Sequence, residues 1–207
     1  EGYNPLVLQR ISTPFSNRQN SLNMYNVKYY IDVDSTIGKA VFRENTTYFH
    51  RARLLYADTV VGEQDVASVM TSGNFDFANR VVLEQDPGVA LSGKKADSIP
   101  ANVQCVSFEN NSFAYNVNAH EAGLLVLSEI WYPAWQAYLD GKPVPTLRAN
   151  YSFRAIAVPQ GTHKVEMRYE SKAYSRGSMI TAAAIAFALV LMVNFKRFGK
   201  KKNEAAE

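Results

Sequence analysis

The chain has 207 residues, of which 47% are hydrophobic and 20% are charged, a composition that excludes a disordered chain. The net charge is +3, but the segment Lys196–Lys202 carries five positive charges and the last five residues carry two negative ones. Residues 1–195 are therefore neutral overall and give no basic footprint for nucleic acid. Because the chain begins with Glu1 rather than Met, we expect a fragment or a processed product.

Residues 1–90 are predicted to form a smaller α+β module. A short helix is predicted at Asn4–Ile11, where Asn and Pro are typical of a helix start. A second helix is predicted at Gly62–Asp76, which begins with acidic residues and has Gly73 near its end. Strand-like patterns occur in four further segments: Asn26–Val33, Lys39–Asn45, Ala52–Val61 and Asn79–Asp86.

A linker is predicted at residues 91–102, within a stretch rich in Gly, Pro, Ser and Lys. Beyond it, apolar residues that alternate with period two between tight turns predict an antiparallel β-sandwich over residues 103–175. Leu124–Ser128 is continuously apolar, as expected for a strand covered on both faces. Asp140-Gly141 is a strong signal for a two-residue hairpin turn.

Two side-chain environments follow from the same alternation. Val165, Met167 and Tyr169 share one face of the last strand, which we expect to be the buried face. Cys105 is the one cysteine, so it has no internal disulfide partner. We expect it to lie on a strand as a small buried hydrophobic residue.

An uncharged segment, Ser178–Phe195, would span about 27 Å as a helix, close to the thickness of a thin bilayer. We predict a transmembrane helix over residues 176–195, followed by a basic cytoplasmic tail over residues 196–207. Positive residues stay on the cytoplasmic side, so residues 1–175 are expected outside the cytoplasm. The predicted fold is mostly β, with the α+β module, then the sandwich, then one transmembrane helix.

No motif for catalysis or metal binding is present in the sequence. The three histidines are far apart and have different local patterns, so no metal site and no cofactor is predicted. Nucleotide-binding loops and nucleophile motifs are missing as well. Glu129 precedes Trp131 and is the carboxylate that local structure explains least, but we still expect a structural role for it. No catalytic residue is assigned.

An aromatic segment follows the apolar strand at Leu124–Ser128. Trp131, Tyr132, Trp135 and Tyr138 could stack on sugar rings, or could fill the core of a small sandwich. We favour packing, with one ring exposed at a rim. The candidate ligand contacts are Trp131, Tyr132 and Trp135, together with two cations that could bind an anionic group, Arg148 and Arg154.

Several segments, in this order along the chain, resemble the C-terminal region of YfhO-like bacterial membrane proteins. They are EGYNPL at the start, LNMYNVKYYI (Leu22–Ile31), NFDFANRVVLEQDPG (Asn74–Gly88) and the long run Gly123–Glu170. The chain departs from the family pattern at Ala134, where the family has Gly after Pro.

The resemblance implies a polytopic plasma-membrane glycosyltransferase that takes sugar from a polyprenyl-phosphate carrier and decorates cell-surface polymers. Its catalytic residues would lie among N-terminal transmembrane helices that this chain lacks. We therefore expect this region to support or position the acceptor. The expected partners are the bilayer, the N-terminal membrane core of the parent protein and a cell-surface glycopolymer.

Three alternatives remain open at this point. The chain could be a membrane-anchored carbohydrate-binding module, a purely structural β-sandwich module, or an anchored hydrolase that uses Glu129 and another carboxylate. A binding module predicts sugar affinity that is lost in Trp135→Ala, whereas a hydrolase predicts turnover that is lost in Glu129→Gln.

Overall fold

The computed structural model describes residues 14–204, with side chains described up to residue 192. The helix predicted at Asn4–Ile11 lies outside the described residues. The chain divides into two compact units, Glu1–Tyr169 and Glu170–Glu207. The helices are α1 (Arg18–Met24), α2 (Val66–Thr71) and α3 (Lys172–Glu204). The strands are β1 (Tyr29–Asp34), β2 (Lys39–Glu44), β3 (Ala52–Leu55), β4 (Ala57–Val60), β5 (Arg80–Leu83), β6 (Ala101–Phe108), β7 (Ser112–Ala119), β8 (Gly123–Leu127), β9 (Trp135–Leu139), β10 (Lys142–Val144), β11 (Leu147–Ala149), β12 (Phe153–Val158) and β13 (Gly161–Tyr169).

The strands of the first unit form three sheets. A five-stranded antiparallel sheet has the order β10-β9-β13-β7-β6, and a six-stranded sheet has the order β3-β8-β12-β11-β5-β4. In the six-stranded sheet β4 and β5 are parallel and the other neighbours are antiparallel. β1 and β2 form a separate hairpin. The mostly β fold predicted from the sequence is confirmed.

The six-stranded sheet curls back on itself. β3 and β4 lie at opposite ends of its strand order, but in the chain they are separated by the single residue Tyr56. The sequence pattern predicts one strand over Ala52–Val61. The structure instead divides this segment between two partners, because its first half pairs with β8 and its second half pairs with β5.

Both faces of the six-stranded sheet are buried. One face packs against the five-stranded sheet. The cluster between them includes Leu125 and Ile156 from the six-stranded sheet and Val117 and Val165 from the five-stranded sheet. The other face forms a second cluster around Leu124, with Leu91 from the loop after β5 packed against it. Every residue of β8 is buried, which confirms the strand covered on both faces.

The helices α1 and α2 contribute to a third apolar cluster. Met24 from α1 and Met70 from α2 are buried with Phe77 and Phe153. α1 begins after Asn17, whose side chain accepts a hydrogen bond from the backbone N–H of Asn20 and so satisfies one free donor of the first turn. α2 is shorter than predicted and lacks such a side-chain cap at Asp65.

The linker expected at residues 91–102 does not coincide with a break in the sheet structure. Strands β3 and β5 precede it, yet they pair with β8 and β11, which follow it. A physical reason is that β8 is apolar on both faces and needs hydrogen-bonded neighbours on both edges, which β12 and β3 supply. The sandwich therefore draws strands from both sides of residues 91–102.

The second unit is the helix α3. Residues Lys172–Met192 have a mean hydropathy of 1.6 and none of that segment is buried. The helix is therefore long and apolar enough to span a bilayer. It begins a few residues earlier than the predicted start at residue 176.

Candidate functional site

Trp131 lies in the connection between β8 and β9, and its side chain is held by its neighbours. Its backbone N–H donates to the carbonyl of Ser152 over 2.6 Å, and its indole Nε1 donates to the carbonyl of Thr146 over 3.1 Å. The guanidinium of Arg148 lies 4.2 Å from the ring centroid. One face of the indole is thus covered by a cation of the same chain.

Arg148 is also engaged with carboxylates. Its Nη1 lies 3.5 Å from Glu84 Oε2 and 3.9 Å from Glu63 Oε1. Two acidic side chains therefore offset the positive charge of this arginine. The pairing of Trp131 with Arg148 is better explained as a contact that fixes the connection than as an open site for an anion.

Trp135 and Arg154 form a second pair at one end of the sandwich. Arg154 is 3% exposed, and its guanidinium lies 4.6 Å from the ring centroid of Trp135 and 5.7 Å from that of Phe113. Its Nε donates to the carbonyl of Ile130 over 2.9 Å. The cation is thus held against two aromatic rings at the edge of the core.

Burial dominates the electrostatics of Arg154. It lowers the pKa of the guanidinium to about 10, against the opposing attraction of Glu129 and Tyr115. Nη2 lies 4.0 Å from Glu129 Oε2, and Nη1 is buried without a hydrogen-bond partner. Because its polar end is enclosed, Arg154 cannot reach a ligand in solution without a rearrangement of this end of the sandwich.

Glu129 takes part in ion pairs. Arg51 Nε lies 2.8 Å from its Oε1, although the N–H does not point at that oxygen well enough to form a hydrogen bond. With Arg154 on its other oxygen, Glu129 bridges two cations. This arrangement favours the structural role over the hydrolase alternative. Among the residues that the structure describes, no group of His, Cys, Asp and Glu is suited to hold a metal ion.

Tyr132 is the most exposed of the candidate aromatics. It contacts Tyr169, which the sequence did not identify as a candidate. Its ring stacks on that of Tyr169, with centroids 6.2 Å apart and planes 9° apart. Tyr132 is 38% exposed and Tyr169 is 40% exposed. Tyr169 was expected to be buried with Val165 and Met167, which are buried as predicted. The expectation for Tyr169 is wrong because it ends β13, beyond the last layer of core side chains.

These contacts join three of the five candidates into one group, which we call the aromatic end cluster. Tyr169 connects them, since it stacks on Tyr132 and meets Trp135 edge to face at 5.6 Å. The members of the cluster are Phe113, Tyr132, Trp135, Arg154 and Tyr169. Trp131 and Arg148 form a pair of their own. Within the cluster, the exposed area belongs mainly to the two tyrosines.

Two further features lie outside this cluster. An apolar cavity of about 650 Å³ is lined by the loop Gln85–Val89 and by residues that include Leu139, Leu147 and Pro159. Small-molecule sites need a few convergent polar groups, and the side chains that line this cavity are largely apolar. Cys105 lies on β6 as predicted, but it is exposed, so the expectation of a buried residue is wrong.

Comparison with protein families gives a match over part of the chain. Residues 89–181 match the family described as bacterial membrane protein YfhO. This range contains β6 to β13 and the start of α3, and it confirms the resemblance inferred from the sequence. A search of curated proteins and a search of solved structures each gave no match.

Proposed function

Because residues 89–181 are a YfhO-type region of a bacterial membrane protein, we propose that this chain is part of a membrane glycosyltransferase that decorates cell-surface polymers. In this proposal the unit that ends at Tyr169 lies outside the cytoplasm and positions the polymer acceptor. The transfer chemistry resides in other membrane segments of the parent protein. The chain's partners are then the bilayer, that membrane core and the glycopolymer.

The observation that carries the acceptor-positioning role is the stacked pair of Tyr132 and Tyr169. Sugar rings present apolar C–H faces that pack on exposed aromatic rings, and both tyrosines of the stacked pair keep more than a third of their surface exposed. Tyr169 meets Trp135 edge to face, and Trp135 is itself packed on Arg154. A rigid aromatic platform binds with little loss of side-chain entropy.

The supporting role of the remaining candidates follows from their contacts. Trp131 and Trp135 each have an arginine over the ring, so they hold the fold in place below or beside the exposed pair. This favours the reading in which most of these aromatics are structural. It also supplies a second candidate function, a purely structural module, in which Tyr132 and Tyr169 bind no polymer.

The test is binding of isolated wall teichoic acid to the full chain in nanodiscs, measured by calorimetry. Tyr132→Ala and Tyr169→Ala are each expected to weaken binding about fivefold, because an aromatic stacking contact contributes on the order of 1 kcal/mol. Val106→Ala is the control, since Val106 is an exposed apolar side chain on β6 that belongs neither to the aromatic end cluster nor to the β1–β2 hairpin.

The outcomes separate the two candidate functions. Weaker binding in both cluster variants, with unchanged thermal stability and an unchanged control, supports acceptor positioning. If the unaltered chain binds neither teichoic acid nor a neutral cell-wall polysaccharide, the positioning role is lost and the structural module remains.

The orientation in the membrane is a separate part of the proposal. Five cations follow the apolar span between Lys196 and Lys202, which favours a cytoplasmic C-terminus. Cys105 is exposed, so its labelling shows on which side of the membrane the unit that ends at Tyr169 lies. Labelling of Cys105 in intact cells by a membrane-impermeant maleimide is expected. Labelling that requires cell lysis would place this unit in the cytoplasm.

A further inference from the structure

The β1–β2 hairpin has an apolar face that the rest of the described chain leaves exposed. In its register Ile31 is opposite Phe42, and Val33 is opposite Ala40. Residues opposite each other in an antiparallel pair point to the same side of the sheet, as do residues two apart on one strand. Tyr29, Ile31 and Val33 are 60%, 60% and 66% exposed, and Phe42 is 83% exposed.

The opposite face of the hairpin is mostly polar, and its β1 side chains are partly buried. Asp32 lies 3.4 Å from Arg18 of α1 and 3.4 Å from Arg43 of β2. The guanidinium of Arg18 also lies 5.0 Å from the ring centroid of Tyr30. The burial of β1 alternates accordingly, with Tyr30, Asp32 and Asp34 partly buried. Strand β1 thus directs Asp32 and Asp34 toward its own protein and its apolar side chains toward solvent, which is the reverse of the usual pattern.

The base of the apolar face carries a cation beside aromatic rings. Lys28 Nζ lies 5.2 Å from the ring centroid of Tyr29 and 5.9 Å from that of Tyr48. Lysine and tyrosine are the residues that anchor proteins at the headgroup level of a bilayer, with their charged or polar tips in the wet layer. Ile31, Val33 and Phe42 follow further along the hairpin. This face therefore has Lys28, Tyr29 and the opposite Glu44 at one end, and apolar side chains along the rest of its length.

We propose that this face of the hairpin lies on the lipid bilayer. Ile31, Val33 and Phe42 enter the boundary between headgroups and acyl chains, while Lys28 and Tyr29 stay among the headgroups. Four large side chains that are each more than half exposed form a patch of a few hundred Å², the size at which exposed apolar surface usually marks an interaction site. The bilayer is the occupant because the family is one of membrane proteins and α3 carries an unburied apolar span.

This contact does not depend on the glycosyltransferase proposal. It is an amphipathic surface that lies in the plane of the interface, and such surfaces bury their apolar side about 5–10 Å into the boundary layer. The helix α3 anchors the chain in any case, so a simple vesicle-binding assay cannot report on the hairpin. The test must measure the depth of individual hairpin residues.

The experiment uses the full chain with Cys105→Ser, reconstituted in phosphatidylcholine–phosphatidylglycerol vesicles. Single cysteines at Phe42→Cys or Ile31→Cys carry an environment-sensitive fluorophore. Lys39→Cys is the matched control, because Lys39 is on the same strand as Phe42 but pairs with Asp34 on the polar face. Circular dichroism confirms that each variant keeps its fold.

At positions 31 and 42 we expect a blue-shifted emission that doxyl-labelled phosphatidylcholine quenches at least about twofold, as for a group buried in the boundary layer. The label at position 39 is expected to be quenched by aqueous iodide and not by the doxyl lipid. Equal iodide quenching at all three positions would overturn the proposal. Self-quenching at position 42 that grows with protein density, without doxyl quenching, would assign the face to a second copy of the chain. Protection from both quenchers at every density would assign it to another protein segment.

Discussion

The buried guanidinium of Arg154 lies 4.6 Å from the ring centroid of Trp135, which is partly buried at one end of the sandwich. This pair supports Tyr169, which packs edge to face on Trp135 and stacks on Tyr132. Arg154 and Trp135, which the sequence identified as candidate ligand contacts, thus contact each other. The contact makes predictions about stability that differ from those for a ligand site.

Arg154→Ala is expected to lower the free energy of unfolding of the sandwich by about 2–3 kcal/mol, because it leaves a cavity and removes the hydrogen bond to the Ile130 carbonyl. Arg154→Met fills the same space without a buried charge, so it should cost less than about 1.5 kcal/mol. Urea unfolding followed by tryptophan fluorescence measures both. Equal losses in the two variants would mean that the charge, rather than the packing, stabilises this end.

Trp131→Ala is expected to lower the free energy of unfolding by about 2–3 kcal/mol, since the ring is packed against Arg148 and its Nε1 is hydrogen-bonded. Trp131→Phe keeps an aromatic face and loses the hydrogen bond to the Thr146 carbonyl, so a loss of about 1 kcal/mol is expected. Thermal unfolding of the two variants gives the comparison. A stable Trp131→Ala variant with weakened polymer binding would restore Trp131 as a ligand contact.

Asn150 is fully buried in the turn between β11 and β12, with a φ of 45°, and the following Tyr151 has a φ of 71°. Its side-chain oxygen accepts a hydrogen bond from the backbone N–H of Val82 over 2.9 Å. Asn150→Ala should cost about 2–3 kcal/mol, because Val82 N–H loses its acceptor and alanine is strained at positive φ.

Asn150→Gly isolates the hydrogen bond from the strain. Glycine adopts positive φ freely, so this variant should be about 1 kcal/mol more stable than Asn150→Ala. Chemical denaturation of both variants tests the difference. If alanine and glycine are equally destabilising, backbone strain contributes nothing measurable at this turn.

The hairpin turn Asp140-Gly141 carries a pH-dependent contact. Asp140 Oδ2 lies 2.7 Å from His163 Nδ1, and Oδ1 accepts a hydrogen bond from the backbone N–H of Lys164. The hydrogen bond with His163, and after it the one from Lys164, lowers the pKa of Asp140 below its ordinary value of 3.8. The stabilisation is therefore present above pH 3.8 and is lost as the pH falls through the lower pKa of the folded state.

Asp140→Asn is the matched variant, because asparagine keeps the positive φ of 50° at this position while it removes the charge. The exposed site limits the difference in stability at neutral pH to less than about 1 kcal/mol. That difference should shrink toward zero in strongly acidic buffer. Unfolding curves of the unaltered protein and of Asp140→Asn at several pH values measure this difference. A difference in stability that does not change with pH would exclude the Asp140 carboxylate as its source.

Cys105 is exposed on the edge strand β6. It should react with a water-soluble thiol reagent in the folded protein at a rate close to that of the urea-unfolded chain, because no surrounding side chains cover it. Stopped-flow absorbance gives both rates. A folded-state rate many times slower would mean that another surface, such as a second copy, covers this edge.

Local patterns of the sequence were sufficient for several elements. The continuous apolar run at Leu124–Leu127, the Asp140-Gly141 turn and the apolar span before Lys196 each have one dominant local solution, and the structure contains the first two and an apolar helix at the third. The buried side chains of Val165 and Met167 were likewise given by alternation alone. Alternation specifies a face, and a residue near the middle of a strand keeps that face.

Other features depended on which distant segments meet. The segment Ala52–Val61 has the pattern of one strand. It is divided at Tyr56 because its first half pairs with β8 and its second half pairs with β5. Tyr169 lies on the predicted face but beyond the last core layer, so its exposure depends on how far the opposite sheet extends. Cys105 has the alternation of a buried strand, but β6 is an edge and nothing described covers that position.

The sequence by itself determined the mostly β class, the positions of most strands and the apolar helix, because hydrophobic period and turn chemistry act over a few neighbouring residues. Tertiary structure decided the strand partners, the arginines that cover Trp131 and Trp135, and the exposed face of the hairpin. Those contacts join residues tens of positions apart in the chain. The free energies of those contacts can be assessed only after the strand partners are known and the surfaces that remain exposed have been identified.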